Sequence, residues 1–120
     1  MLAREPVPRD ITIPNADRAI VAQEKLTAYL LNMSHKRGAA KARLLLSVGY
    51  QSNAPGQLES DLRAQHLPLD VPRTSENTYG VVYEIEGPIK TPSGKIVRFC
   101  SIWQVDTGTD VSRFITMYAR

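Results

Sequence analysis

Hydrophobic and polar positions change their rhythm once along this chain. From Gln23 to Leu31, the apolar positions Ala22, Leu26, Tyr29 and Leu30 recur at helical spacing, which predicts a helix that turns Glu24, Lys25 and Thr27 to water and ends near Asn32. Gly38 lets the backbone turn, and a second helix follows over 39–48 with Ala42, Leu45, Leu46 and Val48 inward and Gly49 as its C-cap. A third is predicted over 57–66 on Leu58 and Leu62, entered through Pro55 and Gly56. It reads as shorter and more exposed, with His66 at the surface.

The next stretch, LPLDVPRTSEN at 67–77, carries Pro68 and Pro72 and reads as a loop without ladder or helix. Beyond it the period drops to two. Tyr79, Val81, Tyr83 and Ile85 alternate with Gly80, Val82, Glu84 and Glu86, a strand that Gly87 and Pro88 close, with Ile89 and Lys90 continuing after a bend. The tight-turn residues PSG at 92–94 lead into a strand over 95–105. Its Val97, Phe99, Ser101, Trp103 and Val105 share one face; Ile96 and Ile102 on the other mark it as central. After the turn DTGTD, a last antiparallel strand over 112–120 sets Phe114, Thr116 and Tyr118 against Arg113, Ile115 and Met117.

The order of elements predicts an α+β fold, two or three N-terminal helices packed on a three- to four-stranded antiparallel sheet. One domain is expected over 1–120: an extended, proline-containing lead-in at 1–19, a helical half at 20–66 and the sheet at 77–120. Within and beside the lead-in, ITIP (11–14) and AIV (19–21) each fit a short edge strand. With 120 residues, 42% apolar and 22% charged, there is material for one modest core. The longest apolar runs are only a few residues, so neither a membrane segment nor a signal peptide is expected, and a cytoplasmic location follows as the default. The single cysteine, Cys100, has no partner for an internal disulfide, and the two histidines lie far apart, so neither a metal nor another cofactor is expected.

A net charge of +3 says less than its distribution. Acidic residues stop at Glu24 and resume at Glu59. Between them stand Lys25, Lys36, Arg37, Lys41 and Arg43, and a fold that gathers this segment makes either an anion-binding corner or a solvated cationic face. Lys41 near the start of the second helix is the better ligand for a small anion, because Arg43 points about 200° around the axis from it.

The residue types suit metal-independent cleavage of RNA. That reaction needs an activated 2′-hydroxyl, a proton for the leaving oxygen and donors for the crowded phosphorus. His35 is the group able to carry a proton near neutral pH, and Lys41 and Arg98 are suited to hold the phosphate. Each also has a structural explanation: His35 as a loop or capping residue, Lys41 as a solvated helix start, Arg98 paired across the ladder with Glu84 or Glu86. The strand hydroxyls Ser101 and Thr116 suit phosphate donors or backbone-bonded core residues. Tyr79, Tyr83 and Trp103 offer stacking surfaces for a base or, at alternate strand positions, core rings, with Trp103 assigned to the core. Cys100 has no neighbouring base and reads as an inert core thiol.

The segments IPNADRAIV, KLTAYLLN, SHKRGAAKARLLLSVGY, YGVVYEIEGPI, PSGK, VDTG and RFITMYAR resemble a small bacterial domain known mainly as a domain of unknown function, over residues 11–118. That family's settings are similar to those of polymorphic toxins and phage proteins. Its H-x-x-G-x-x-K pattern maps onto His35, Gly38 and Lys41, and its final-strand threonine onto Thr116; its usual aromatic after KAR is replaced by Leu45 or Leu46. Helices followed by an antiparallel sheet also resemble the fold of the barnase, EndoU, colicin-type and RelE-like toxins, which cleave RNA without a metal. The expectation is a toxin-like ribonuclease with His35, Lys41, Arg98 and Thr116 catalytic and Arg37, Arg43, Tyr83 and Ser101 on the substrate. Its partners would be RNA and a cognate antitoxin or immunity protein. The alternative is a non-catalytic protein-interaction module of a toxin system, itself the partner or immunity-type protein.

Overall fold

A computed structural model describes residues 12–120. Helices precede strands, as an α+β fold. Helix α1 opens as Gln23–Lys25 and runs on as a wide π-helical stretch, Leu26–Leu30; α2 is Ala39–Ser47; α3 starts at proline as Pro55–Asp61 and widens into Leu62–His66. Four strands follow, β1 Arg73–Asn77, β2 Gly80–Lys90, β3 Ile96–Asp106 and β4 Ser112–Ala119, all antiparallel and in the order β1-β2-β3-β4. This is the meander expected of strands joined by short turns. Among the described residues no helix is long and apolar enough to cross a membrane.

The helices lie on one sheet face. Leu26, Leu30, Leu45, Leu58 and Leu62 share one buried cluster with Ile85, Ile89, Phe99, Trp103, Phe114 and Met117. At its centre Trp103 meets Phe114 edge to face with ring centroids 5.2 Å apart, the arrangement favoured by the ring quadrupoles. Trp103 is a core residue, as its strand position implied.

Several expectations are corrected. The segment read as loop at 67–77 contains β1, whose residues pair from Arg73 opposite Glu84 to Asn77 opposite Gly80. All five residues are exposed, so no burial alternation marks them; β2 imposes the strand from across the ladder. Tyr79 is 72% exposed in the β1–β2 turn rather than aligned in β2. There the Asn77 side-chain oxygen accepts the backbone N–H groups of Tyr79 (2.7 Å) and Gly80 (3.0 Å), closing the turn as an Asx motif. Strand β2 does not stop at Gly87 and Pro88 but continues to Lys90. Beyond Glu84 it has outrun β1 and forms a sheet edge, where proline is tolerated.

Helix α3 takes over that edge. Gln65 donates to the Lys90 carbonyl (3.1 Å) and accepts the Lys90 N–H (2.7 Å), while His66 Nε2 contacts the Gly87 carbonyl at 3.0 Å. His66, expected at the surface, is fully buried for this reason, and α3 packs closely rather than loosely. Strand β4 also departs from simple alternation. Phe114 pairs with Trp103 but Thr116 with Ile102, so Ile115 is an extra residue and Met117 joins Phe114 in the core.

At the N-terminal side, Ile20 alone of AIV makes a bridge, parallel to Arg113 on the outer edge of β4. Residues 16–18 of the expected extended lead-in form a short turn of 3-10 helix. The ITIP segment forms no strand at 12–14; residues 1–11 of the lead-in, Ile11 among them, lie outside the described residues.

Candidate functional site

The site begins with the irregular turn of α1. The Leu31 N–H donates to the Leu26 carbonyl at 2.8 Å, an i to i+5 bond. Each residue of such a widened turn advances less than the usual 100° around the axis, so Tyr29 falls behind the stripe that buries Leu26 and Leu30. Its ring is half-buried and its hydroxyl reaches the last strand. Lys41 Nζ donates to the Tyr29 oxygen at 2.8 Å and to Thr116 Oγ1 at 3.0 Å, and the Thr116 and Tyr29 hydroxyls are 3.3 Å apart. Thr116 is the residue just past the β4 register shift.

The connection from α1 to α2 supplies His35. Asn32 starts it, its side-chain oxygen accepting the Ser34 N–H at 2.9 Å and its carbonyl the His35 N–H at 3.1 Å. The His35 ring then accepts at Nδ1 from the backbone N–H groups of Arg37 (3.1 Å) and Gly38 (3.0 Å). With Nδ1 committed as an acceptor, the neutral ring carries its hydrogen on Nε2 and presents it as a donor. The ring stands edge-on to Tyr29, centroids 4.9 Å apart. Gly38 is required sterically: a Cβ there would lie 2.7 Å from the Tyr29 carbonyl oxygen and 2.9 Å from its ring.

These groups border a cavity of about 550 Å³ whose lining includes Glu24, Lys25, Tyr29, His35, Arg37 and Thr116. Its field is positive, with Lys41 bonded to two of the lining residues and Glu24 the single carboxylate among those lining it. Burial pushes the Tyr29 phenol up. The hydrogen bonds from Lys41 and Thr116, with the charges of Lys41 and Lys25, outweigh that and leave it below its ordinary value. When Thr116 donates to it alongside Lys41, the phenol oxygen accepts two bonds and its own hydrogen is free to point into the cavity. The arrangement can therefore hold an anion, stabilise charge on it and deliver a proton beside it.

Of the residues singled out from sequence, His35, Lys41 and Thr116 converge here, and Arg37 lines the same cavity. The others do not join them. Arg98 is an exposed residue of β3 outside the cavity lining, opposite Pro88 on β2. Arg43 is exposed on α2 and Tyr83 packs at the margin of the core, both away from the lining. Ser101 is fully buried, its hydroxyl 2.7 Å from His66 Nδ1 and 2.9 Å from the Trp103 indole N–H that donates to it, so it holds the core together and touches no open space. Conversely, Tyr29, whose spacing puts it in a buried stripe, and Glu24, whose position points it to water, both line the cavity. The nearest sequence sign of their role is their five-residue separation, which a widened turn brings toward one side of α1.

A four-stranded antiparallel sheet covered on one face by three helices, with a cationic cavity where the first two helices meet the edge strand, defines the class: a small α+β domain with a positively charged corner. Over residues 12–120 the chain matches the family described as Domain of unknown function (DUF6883), and it belongs to that family. No curated protein sequence matches it significantly. Among solved structures, it is similar to a chain of a contact-dependent growth inhibition toxin–immunity protein complex from Klebsiella pneumoniae 342. The TM-score is 0.59 at 18% identity, over 84% of this chain and 99% of that one. At that identity the likeness is one of fold.

Proposed function

We propose that this chain is a toxin-like ribonuclease that cleaves RNA phosphodiesters by metal-independent transphosphorylation. The observation that carries the reading is the junction of Lys41 Nζ with the Tyr29 and Thr116 hydroxyls at the wall of the cavity that holds His35. A phosphodiester in that cavity meets the Lys41 ammonium, the His35 Nε2–H and the Thr116 hydroxyl as donors for its non-bridging oxygens. The Glu24 carboxylate accepts the proton of the attacking 2′-hydroxyl. As the 2′-oxygen bonds to phosphorus and the bond to the 5′-oxygen breaks, the Tyr29 phenol gives its free proton to the departing oxygen. The products are a 2′,3′-cyclic phosphate and a 5′-hydroxyl. Lowering the phenol's pKa makes it a better acid for that step. Family membership and a fold shared with a chain of a toxin–immunity complex support the toxin-system setting.

The test is incubation of the purified chain with RNA in excess chelator, with mapping of the product ends. Cyclic-phosphate and 5′-hydroxyl ends are expected, and Tyr29→Phe and Lys41→Met should each lower kcat by about 10²–10⁴-fold with the fold retained. RNA left intact by the folded wild type overturns the proposal.

A second reading rests on β1, a fully exposed edge strand that another chain can extend by strand addition. Under it the chain is the antitoxin or immunity-type partner. Stoichiometric complex formation with a toxin encoded beside it, without RNA cleavage, would favour that role.

A further inference from the structure

The cavity at Tyr29 and His35 is more cationic than one phosphodiester requires. Arg18, Arg63, Arg73, Arg113 and Arg120 each stand against a carboxylate. Lys25 and Arg37, which both line the cavity, have no such partner among the described residues. With Lys41 they bring three positive charges to a space where Glu24 is the single lining carboxylate. One phosphodiester at Lys41 therefore leaves one positive charge in excess, and a volume of about 550 Å³ leaves room beside it.

The cations are separated along one side chain. Lys41 Nζ stands at the hydroxyl end of Tyr29, 2.8 Å from its oxygen. Arg37 stems from the opposite end: its neighbour Gly38 packs where an added Cβ would lie 2.7 Å from the Tyr29 carbonyl oxygen, and its own N–H donates to His35 Nδ1 at 3.1 Å. Lys25 precedes Tyr29 by four residues on α1, so it too springs from the backbone end. The two unpaired cations thus arise about one tyrosine length from the Lys41 ammonium, a separation suited to neighbouring phosphates of one strand.

We infer that Lys25 and Arg37 form a second phosphate subsite, which holds the phosphodiester next to the scissile one. The inference rests on the ribonuclease reading and adds the substrate class: a continuous RNA backbone with at least two phosphates, rather than an isolated dinucleotide. The planar fork of arginine matches two phosphate oxygens and lysine adds a point charge, so the pair holds the backbone without reading a base.

The probe is a 2′-O-methyl dinucleotide, which cannot undergo transphosphorylation, used plain and with a methyl phosphodiester added at its 3′ or at its 5′ end. Each addition brings one phosphate charge and no base. The wild type should bind one of the two extended forms about tenfold more tightly than the plain one, with a logarithmic salt dependence steeper by about 0.7. Lys25→Gln and Arg37→Gln should each cut that gain to about threefold or less. Lys95→Gln, which removes the same charge from the exposed β2–β3 turn, should keep it. Equal gains at both ends, or a gain unaltered in both cavity variants, would overturn the subsite and leave the ribonuclease reading standing. So would the absence of any gain in a wild type that binds the plain dinucleotide. A wild type that binds none of the probes also overturns the subsite, and RNA left intact by the same protein removes the reading beneath it.

Discussion

Lys41 stands with its ammonium nitrogen 2.8 Å from the Tyr29 hydroxyl and 5.2 Å from the centre of the same ring, so the cation sits beyond the hydroxyl end of the ring and acts on the phenol oxygen. Through Thr116 it also ties α2 to β4. The contact depends on the widened turn that releases Tyr29 from the core stripe.

Tyr29 should therefore ionise at lower pH than an ordinary tyrosine, and Lys41→Met should move its titration upward. Ultraviolet titration with Tyr29→Phe as the assignment control reads this directly. Because the folded value is depressed below about 10, the wild type gains stability as pH rises through the Tyr29 folded value toward that figure, and the gain is lost again as pH falls. The same titration should show Tyr50 ionising last, since burial and the carboxylate of Asp61, 2.5 Å from its hydroxyl, push it up. An unmoved Tyr29 midpoint in Lys41→Met would remove Lys41 as the cause.

His66 makes folding sensitive to mild acid. Burial depresses its pKa, opposed by its bond to the Gly87 carbonyl and assisted by the charge of Arg98, so the unfolded chain takes up a proton that the folded chain resists. Its stabilising effect is complete above about pH 6.5 and declines as pH falls from there toward the folded value. Urea midpoints measured between pH 7.5 and 5 should fall. In His66→Gln, which lacks the titrating group, that slope should flatten, at a cost of about 1–3 kcal/mol from the disturbed Ser101 and Gly87 bonds.

Gly38→Ala should disrupt the site from outside the reacting set. Its backbone is an ordinary right-handed conformation (φ −99°), so the effect is steric: the new methyl overlaps the Tyr29 carbonyl and ring. We expect a loss of about 1–3 kcal/mol together with an altered Tyr29 titration. A variant with wild-type stability and titration would show that the loop moves aside freely.

Gly80→Ala separates folding from function. At φ +151°, with a Cβ that would lie 2.0 Å from the Val105 carbonyl oxygen, any side chain distorts the start of β2. The melting temperature should drop strongly, while the Tyr29 titration of the remaining folded protein stays as in wild type. Gly56→Ala, where a Cβ meets nothing within 4 Å, is the matched control and should be nearly neutral.

The legible parts of this protein are those written in short-range periodicity. Ala42, Leu45 and Val48 announced α2 and its buried stripe, Gly49 its end, and Phe99 and Trp103 the inward face of β3, because apolar spacing of 3.6 or two residues is enough to orient an element against a core. The pattern His35, Gly38, Lys41 likewise flagged the corner that the fold turns into a cavity. Three-dimensional packing decided the rest. β1 is polar throughout and is a strand only because β2 pairs with it; His66 is buried only because the outer edge of β2 needed a partner; Met117 turns inward only because β4 slips by a residue. Above all, the bond between Lys41 and Thr116 joins residues 75 positions apart, and Tyr29 enters it through a turn that its local sequence does not distinguish from a regular helix. Residue order specifies what each segment prefers alone, whereas such a contact forms only when the segments compete for one core and settle where their polar groups can be satisfied.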